Sequence, residues 1–204
     1  YAKHAATYGI NVENPTPNFG GVITRSRGVA DKMSKGIQFL MKKNKIDVIM
    51  GTGKLIAATK MEVTAADGTK QIVEAKNIII ATGGRARALP TMPIDGKKIV
   101  GYREAMVLPE QPRSMIVCGS GAIGSEFAYF YNSMGTKVTM VEFMPRLVPV
   151  EDEDISKELE KNFKKQGMTI MTSSEVLSVD TSGAGVKAKV KTPTGEVTLE
   201  ADIL

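Results

Sequence analysis

A glycine-rich turn near the middle of the chain carries the residues best suited to bind phosphate groups. The apolar run 114–117 leads through Cys118 into residues 119–124, which read Gly-Ser-Gly-Ala-Ile-Gly and open a pattern of helical spacing. In such a motif the first glycine permits a tight turn, the second lets the backbone approach a pyrophosphate, and the third allows the helix to pack closely on the sheet. The helix N-terminus then directs unpaired N–H groups at the phosphates. The turn therefore predicts a dinucleotide site.

An acidic residue after the next apolar run indicates which dinucleotide is bound. Residues 137–141 are mostly apolar and are followed by Glu142, which lies 23 residues after Gly119, close to the expected spacing of about 20. A carboxylate here accepts hydrogen bonds from ribose hydroxyls and repels a 2′-phosphate. Since no arginine stands at or next to this position, the sequence favours NAD over NADP. The glycine motif alone also occurs as a chance turn, and binding alone does not specify a reaction.

The elements expected around this motif are those of an α/β fold. Strand, turn, helix and strand follow one another over 114–141. Further along, the pattern predicts a helix capped by Asp152 or Asp154 and ended by Gly167, then a short strand at 168–171.

Two antiparallel meanders are predicted, one in each half of the chain. The first has strands at 54–58, 60–64 and 69–74, and the second at 175–180, 186–191 and 196–200. The first leads into 77–81, an apolar run typical of a strand buried on both faces, which ends at Thr82-Gly83-Gly84. The second leads into 201–204, where the sequence ends. Because the second copy stops where the first continues, we expect the chain to be a truncated fragment.

The remaining segments are predicted from apolar spacing and from prolines. Residues 1–24 are expected to form a loop, and apolar residues at helical spacing predict a helix over 26–44. The run 46–50 predicts a strand. Four prolines in 85–113 indicate a linker, with a domain boundary inside it.

Composition argues against several classes of function. The apolar share of 42% and charged share of 24% are ordinary for a globular protein, and no apolar run is long enough to predict a membrane span. The net charge of +5 comes with dispersed lysines and no interleaved aromatic residues, so no nucleic-acid surface is expected. Because Cys118 is the single cysteine, no intrachain disulfide can form and no cysteine-based metal site is expected. A single cysteine also fits a reducing, cytoplasmic compartment. Since Cys118 ends an apolar run, we expect it to be an inert core thiol. His4, the single histidine, is expected to be non-catalytic.

Several segments together resemble the dihydrolipoamide dehydrogenase family. The most specific are 117–127, 141–146 and 151–157, and 43–54 and 75–83 are also similar. The resemblance covers nearly the whole chain. Val-Glu-Phe at 141–143 and the acidic run after it favour this family over the other flavin disulfide reductases, because glutathione-reductase-like members usually carry basic residues after the second strand to hold NADP.

In that family FAD and NAD each have a domain, and electrons pass from dihydrolipoyl groups through a redox disulfide and FAD to NAD. The resemblance implies a Rossmann-like parallel-sheet NAD domain with an antiparallel β-meander, plus part of a similar FAD-binding domain. It assigns 1–90 to the C-terminal portion of the first FAD-domain segment, 91–113 to a linker and 114–204 to the NAD-binding domain, truncated at its last strand.

The resemblance also implies which residues contact the cofactors. The NAD contacts would be Gly119, Ser120, Gly121, Ala122, Ile123, Gly124, Ser125, Glu126, Glu142 and Val176. The FAD contacts would be Gly53, Thr82, Gly83 and Gly84. Glu126 would lie near the nicotinamide and flavin, Glu142 would hold the adenosine ribose, and Val176 would lie against the adenine. The alternatives are an ordinary polar helix residue for Glu126, core packing for Val176 and a simple strand-ending turn for 82–84.

The departures from the family define the expected function. The cysteine pair, the first FAD fingerprint, the second FAD motif and the C-terminal dimerisation domain with its catalytic His-Glu pair have no match in the 204 residues. We therefore expect a central fragment, inactive alone, that carries the NAD site. The parent would be a homodimer serving lipoyl domains of 2-oxoacid dehydrogenase complexes or the glycine-cleavage carrier protein. The alternatives are another NAD(H)-dependent flavin reductase, of NADH oxidase or transhydrogenase type, and a non-catalytic nucleotide-binding module.

Overall fold

The computed structural model describes the backbone of residues 2–204 and the side chains of residues 5–204, so the role of the His4 side chain lies outside the described residues. The chain divides into two compact units, one formed by Tyr1–Thr24 and Ala86–Leu204, the other by Arg25–Arg85. The helices are a 3-10 helix at Ala2–Tyr8, α1 (Phe19–Lys43), α2 (Tyr102–Ala105), α3 (Ala122–Met134) and α4 (Glu153–Lys165). The strands are β1 (Thr52–Ala57), β2 (Lys60–Thr64), β3 (Lys70–Glu74), β4 (Ser114–Cys118), β5 (Lys137–Val141), β6 (Thr169–Met171), β7 (Glu175–Asp180), β8 (Val186–Thr192) and β9 (Gly195–Ala201).

A parallel sheet forms the centre of the first unit. Its strand order is β4-β5-β6, with α3 connecting the first pair of strands and α4 the second. On the other side of β4, Ile203 forms a parallel bridge with Met115, and the Ile116 N–H donates to the Ile203 carbonyl at 2.9 Å. The predicted α/β class is confirmed. The strand predicted to begin at 201–204 is represented by this single bridge.

Side chains alternate between two cores on the faces of this sheet, as the pleat of a strand requires. On one face, Met115 and Met140 pack with Tyr131 of α3 and Phe163 of α4. On the other face, the buried residues are Ile116, Val141, Val176, Val186, Ala188 and Val190, together with Met92, Ile99 and Leu204. The sheet is therefore covered by helices on one face and by the meander on the other. Each fully buried aliphatic side chain contributes about 1.5–3 kcal/mol to this packing.

The meander β7-β8-β9 is antiparallel throughout. In β8, Val186, Ala188 and Val190 are buried, whereas Lys187 and Lys189 point outward to carboxylates on β9. Because of this alternation, the apolar face of the meander packs on the parallel sheet and its charged face is exposed to solvent. The surface ion pairs add little to stability, so the apolar face holds the meander in place.

Arg25–Arg85 contains a second antiparallel sheet of order β1-β2-β3. The strands predicted at 46–50 and 77–81 are wrong, because neither segment is assigned as a strand. Ile79 and Ile80 are 89% and 68% exposed, not buried on both faces. Among these residues, all of which the structure describes, Val63 is the only buried hydrophobic side chain. An extended apolar run becomes a strand only beside a neighbour that satisfies its backbone groups.

The loop predicted over 1–24 is also wrong, because α1 begins at Phe19. Asn18 precedes it, and its Oδ1 accepts a hydrogen bond from the Gly21 N–H at 2.8 Å, the pattern of a helix N-cap. Phe19 is buried, and its ring packs 6.0 Å from that of Tyr131. The cap and this packing outweigh the helix-weakening Gly20-Gly21 pair.

The segment predicted as a linker, 91–113, belongs to the first unit and contributes residues to both of its cores. Ile99 is buried in the core beside the meander, and Ala105 and Leu108 are buried in the core beside the helices. The Tyr131 hydroxyl donates to the Ala105 carbonyl at 2.6 Å. The assignment of 1–90 and 114–204 to two nucleotide domains stays a prediction. Among the described residues, no helix combines the length and apolarity that a membrane crossing requires.

Candidate dinucleotide-binding site

The predicted glycine turn lies between β4 and α3, and each glycine has a distinct geometry. Gly119 has φ +96°, a left-handed conformation that disfavours any side chain, and its N–H donates to the Val141 carbonyl at 2.9 Å. A Cβ built on Gly124 would lie 2.2 Å from the Gly119 carbonyl oxygen, whereas a Cβ on Gly121 would meet nothing within 4 Å. Gly124 is thus required for close helix packing, and Gly121 leaves open space in front of the turn.

The N-terminus of α3 faces that open space without a capping side chain. Its N-cap is Gly121, which forms no side-chain cap hydrogen bond, and its first turn holds no acidic residue. The first N–H groups of a helix have no partner within the helix and carry a partial positive charge. This end of α3 is therefore suited to an anionic ligand such as a pyrophosphate.

Glu142 follows β5 and lies against the turn. It is 6% exposed. Its Oε2 accepts hydrogen bonds from the Ser120 N–H and the Ser120 hydroxyl, each at 2.7 Å, and its Oε1 accepts one from the Met144 N–H at 2.7 Å. A carboxylate has about four acceptor positions, so three protein donors leave one for a ligand hydroxyl. The arrangement places a fixed negative charge beside the helix N-terminus, at the carboxyl ends of two adjacent parallel strands.

The comparison with protein families gives this geometry a context. Residues 3–204 match the model of the pyridine nucleotide-disulphide oxidoreductases. The chain belongs to this family. Its glycine turn and Glu142 lie at the carboxyl edge of a parallel sheet, which is where open α/β sheets of the dinucleotide-binding type hold their ligands.

Comparisons with individual proteins support the same family. The chain is 43% identical over 189 residues to a dihydrolipoyl dehydrogenase of Chlorobaculum tepidum, covering 93% of the chain and 40% of the relative. It is 41% identical to that of Zymomonas mobilis, covering 97% of the chain and 42% of the relative. The solved structure of LpdA from Mycobacterium tuberculosis superposes with a TM-score of 0.86 at 30% identity, covering 98% of the chain and 44% of LpdA. The chain thus spans about two fifths of the length of these relatives.

Cys118 ends β4 next to this site and corrects one expectation. It is exposed, so it is not a core residue as predicted. Partial desolvation of the thiol, and to a lesser degree the nearby Glu142 carboxylate, raise its pKa to about 11. The thiol is therefore protonated at neutral pH and a poor nucleophile. Among the described residues, no cluster of His, Cys, Asp or Glu is arranged to hold a metal ion.

The structure brings the turn at 119–122 and Glu142 together, and it places Ile123, Glu126 and Val176 apart from this hydrogen-bond network. Ile123 is 62% exposed, and Glu126 is exposed three positions further along α3, so the two share one face of the helix. Val176 is 4% exposed and packs in the core with Val141. Their roles toward nicotinamide and adenine stay predictions.

The predicted FAD contacts belong to the other unit, Arg25–Arg85. Gly53 lies in β1, where an added Cβ would come within 2.8 Å of the Met61 sulfur. Residues 82–84 are exposed and irregular, and Gly83 has φ +75°. The strand expected to end at this turn is not formed, so the geometry adds no support for FAD here, and the assignment stays a prediction.

Two features of the site were not predicted from the sequence: the buried polar contacts of Ser120, which was predicted only as an NAD contact, and the conformation of Val148. Ser120 is fully buried, with 0% exposure, and its hydroxyl also accepts the Val148 N–H at 3.2 Å. Val148 has φ +39°, which is rare for a β-branched residue. A serine between the first two glycines was a signal for an extra polar contact, whereas nothing in the sequence pointed to Val148.

Proposed function

We propose that this chain is the NAD-binding portion of a flavoprotein of the dihydrolipoyl dehydrogenase type. The observation that carries the proposal is the fixed Glu142 carboxylate beside the uncapped N-terminus of α3. The carboxylate is suited to ribose hydroxyls, and the helix N-terminus is suited to the pyrophosphate that joins the two nucleotides. The similarity to dihydrolipoyl dehydrogenases supports the same assignment.

The residues of this chain account for binding and selectivity. The N–H groups at the start of α3 receive the pyrophosphate, and the open space at Gly121 lets it approach the backbone. Glu142 accepts a hydrogen bond from the adenosine ribose and repels a 2′-phosphate. Ile123 and Glu126, on the exposed face of α3, lie toward the nicotinamide half. The bound NAD supplies the hydride acceptor.

In the whole protein, the activity proposed is oxidation of protein-bound dihydrolipoamide with reduction of NAD through FAD. The partners would be lipoyl domains of 2-oxoacid dehydrogenase complexes or the glycine-cleavage carrier protein, and the assembly a cytoplasmic homodimer. The 204 residues contain one cysteine and so cannot form an internal redox disulfide. This chain alone is therefore proposed to bind NAD without oxidising dihydrolipoamide.

The second unit fits a role as part of the FAD-binding domain. Its exposed apolar residues include Met33, Ile37, Phe39 and Leu40 of α1, Val48 and Met50, and Ile79 and Ile80. Exposed apolar side chains in this number fit a surface that another part of a protein covers. We propose that the parts of the whole enzyme outside these residues supply strands beside 46–50 and 77–81.

Calorimetric titration of the purified chain with NADH and NADPH tests the NAD assignment. The wild-type chain should prefer NADH, because the buried Glu142 carboxylate opposes a 2′-phosphate. Glu142→Gln should weaken NADH binding by about tenfold, the equivalent of one charge-assisted hydrogen bond, and should reduce the preference. Glu196→Gln removes an exposed carboxylate on β9 that pairs with Lys189 and serves as the matched control. Equal binding of the two dinucleotides, or none, would contradict the assignment.

The proposed reaction is tested separately on the full-length protein. It should reduce NAD with dihydrolipoamide as electron donor. Oxidation of NADH by oxygen without dihydrolipoamide turnover would favour the NADH oxidase alternative, and NADH binding with no redox activity would favour a non-catalytic module.

A further inference from the structure

Ser120 fixes the orientation of the Glu142 carboxylate through both its side chain and its backbone. Its hydroxyl and its N–H both donate to Oε2 at 2.7 Å, and the Met144 N–H holds Oε1 at 2.7 Å. Donors from two separate segments therefore hold both oxygens, and neither Ser120 nor Glu142 has significant exposure. With Oε1 and Oε2 both occupied, rotation of the carboxylate would break at least one charge-assisted hydrogen bond.

The same hydroxyl anchors the loop that follows Glu142. The Val148 N–H donates both to the Ser120 hydroxyl at 3.2 Å and to the Ser120 carbonyl at 3.1 Å. Val148 has φ +39°, a conformation that a β-branched residue keeps only when its surroundings impose it. The bonds to Ser120 are part of what imposes it.

That loop also contains Arg146, the first basic residue after Glu142 in the sequence. The Arg146 guanidinium donates to the Pro149 carbonyl at 3.1 Å and to the Glu151 carbonyl at 3.3 Å. Both bonds use Nη2, so this end of the guanidinium faces backbone carbonyls of its own loop. Because Val148 lies inside this loop, the bonds from Val148 to Ser120 keep the loop, and with it the arginine, in this arrangement.

We propose that Ser120 is a positioning residue for selection of NAD over NADP. It holds Glu142 where the carboxylate receives a ribose hydroxyl and opposes a 2′-phosphate, and it anchors the loop that keeps Arg146 engaged elsewhere. Without the hydroxyl, Oε2 keeps only the Ser120 N–H and the Val148 N–H keeps only the Ser120 carbonyl. The carboxylate and the arginine loop are then held less firmly, so discrimination against NADPH weakens. The inference rests on the proposed NAD site and adds a role that the glycine motif itself does not assign.

The test compares Ser120→Ala with Thr136→Val in calorimetric titrations of the full chain with NADH and NADPH. Thr136 is also buried, and its hydroxyl donates to the Pro112 carbonyl at 2.7 Å, at the amino end of β5. Ser120→Ala should lower the ratio of the NADPH Kd to the NADH Kd by about tenfold, which corresponds to the loss of one hydrogen bond to a charged group. Thr136→Val should leave the preference unchanged. Equal weakening of both dinucleotides by Ser120→Ala, or no change, would overturn the proposal.

A double-mutant cycle with Glu142→Gln shows whether Ser120 acts through the carboxylate. In the Glu142→Gln background, Ser120→Ala should change the ratio of the NADPH Kd to the NADH Kd by less than twofold. If Ser120→Ala lowers this ratio by the same factor in both backgrounds, the two residues act independently and the proposal is overturned. If Ser120→Ala does not fold, Ser120→Gly takes its place in the same cycle. A wild-type chain that binds no NADH refutes the proposed function and this inference with it. NADH binding with an unchanged ratio in the serine variant refutes the inference alone.

Discussion

Substitution of two glycines in the same turn should separate the role of the turn in folding from its role in binding. At Gly124 an added Cβ would lie 2.2 Å from the Gly119 carbonyl oxygen and 3.5 Å from a Val117 methyl. Contacts under 3.0 Å are essentially never seen for real Cβ atoms. The obstacle is backbone of the neighbouring turn, so relief requires α3 to move away from β4 by about 1 Å.

The cost of Gly124→Ala follows from two opposing effects. Overpacking against a rigid neighbour costs about 3 kcal/mol, the upper end of the usual range. Alanine regains about 1 kcal/mol of helix propensity. The net loss is about 2 kcal/mol, which corresponds to a fall in Tm of roughly 6 °C for a unit of this size.

Gly121→Ala is the matched comparison. Gly121 has φ −61°, which alanine adopts without strain, and its Cβ would meet nothing within 4 Å. The variant should stay within about 1 kcal/mol of the wild type, the usual range for an N-cap exchange. Its methyl group would nevertheless stand where the pyrophosphate approaches, so NADH binding should weaken by at least about tenfold.

Urea unfolding followed by circular dichroism, with NADH titration alongside, measures both effects. A lower midpoint at unchanged slope would report lost stability in Gly124→Ala. A Gly124→Ala variant as stable as the wild type would refute the close packing of α3 on the turn. A Gly121→Ala variant with normal NADH affinity would refute the path assigned to the pyrophosphate.

Two further predictions concern titratable groups. Desolvation and Glu142 raise the pKa of the Cys118 thiol to about 11. The thiol should therefore react with iodoacetamide slowly at pH 8 and faster as the pH rises towards 11. A reaction rate that levels off near pH 9 would contradict this. Partial burial opposes ionisation of Asp202, but the backbone N–H groups of Arg113 and Ser114, together with the Arg113 guanidinium, outweigh it and lower its pKa. Because the pKa is lower in the folded state, the stabilisation is present above about pH 4 and is lost as the pH falls through the folded-state value. In urea unfolding, Asp202→Asn should therefore cost less stability at pH 2.5 than at pH 7, and an equal cost at both would count against the assignment.

Features set by local spacing were predictable from the sequence. The glycine turn, the helix after it and Glu142 depend on a run of about 25 residues, and the structure places the turn, the helix and the acid in that order. The meander strands were also predicted to within one or two residues, because alternating apolar residues and Gly-containing turns specify them directly.

Features that depend on partners distant in the sequence were not predictable. The runs 46–50 and 77–81 have the composition of strands but no neighbouring strand. Prolines in 91–113 indicated a linker, whereas Ile99 and Leu108 between them are buried. In the site, the Ser120 hydroxyl meets Val148 only because the fold brings two segments 28 residues apart together.

A crystal structure of the chain with NAD is the most direct test of the proposed NAD site. We predict that an adenosine ribose hydroxyl will lie within hydrogen-bond distance of the Glu142 carboxylate and that the pyrophosphate will lie at the N–H groups of Ala122 and Ile123, in front of Gly121. A dinucleotide bound elsewhere on the chain, with Glu142 still held only by Ser120 and Met144, would refute this site.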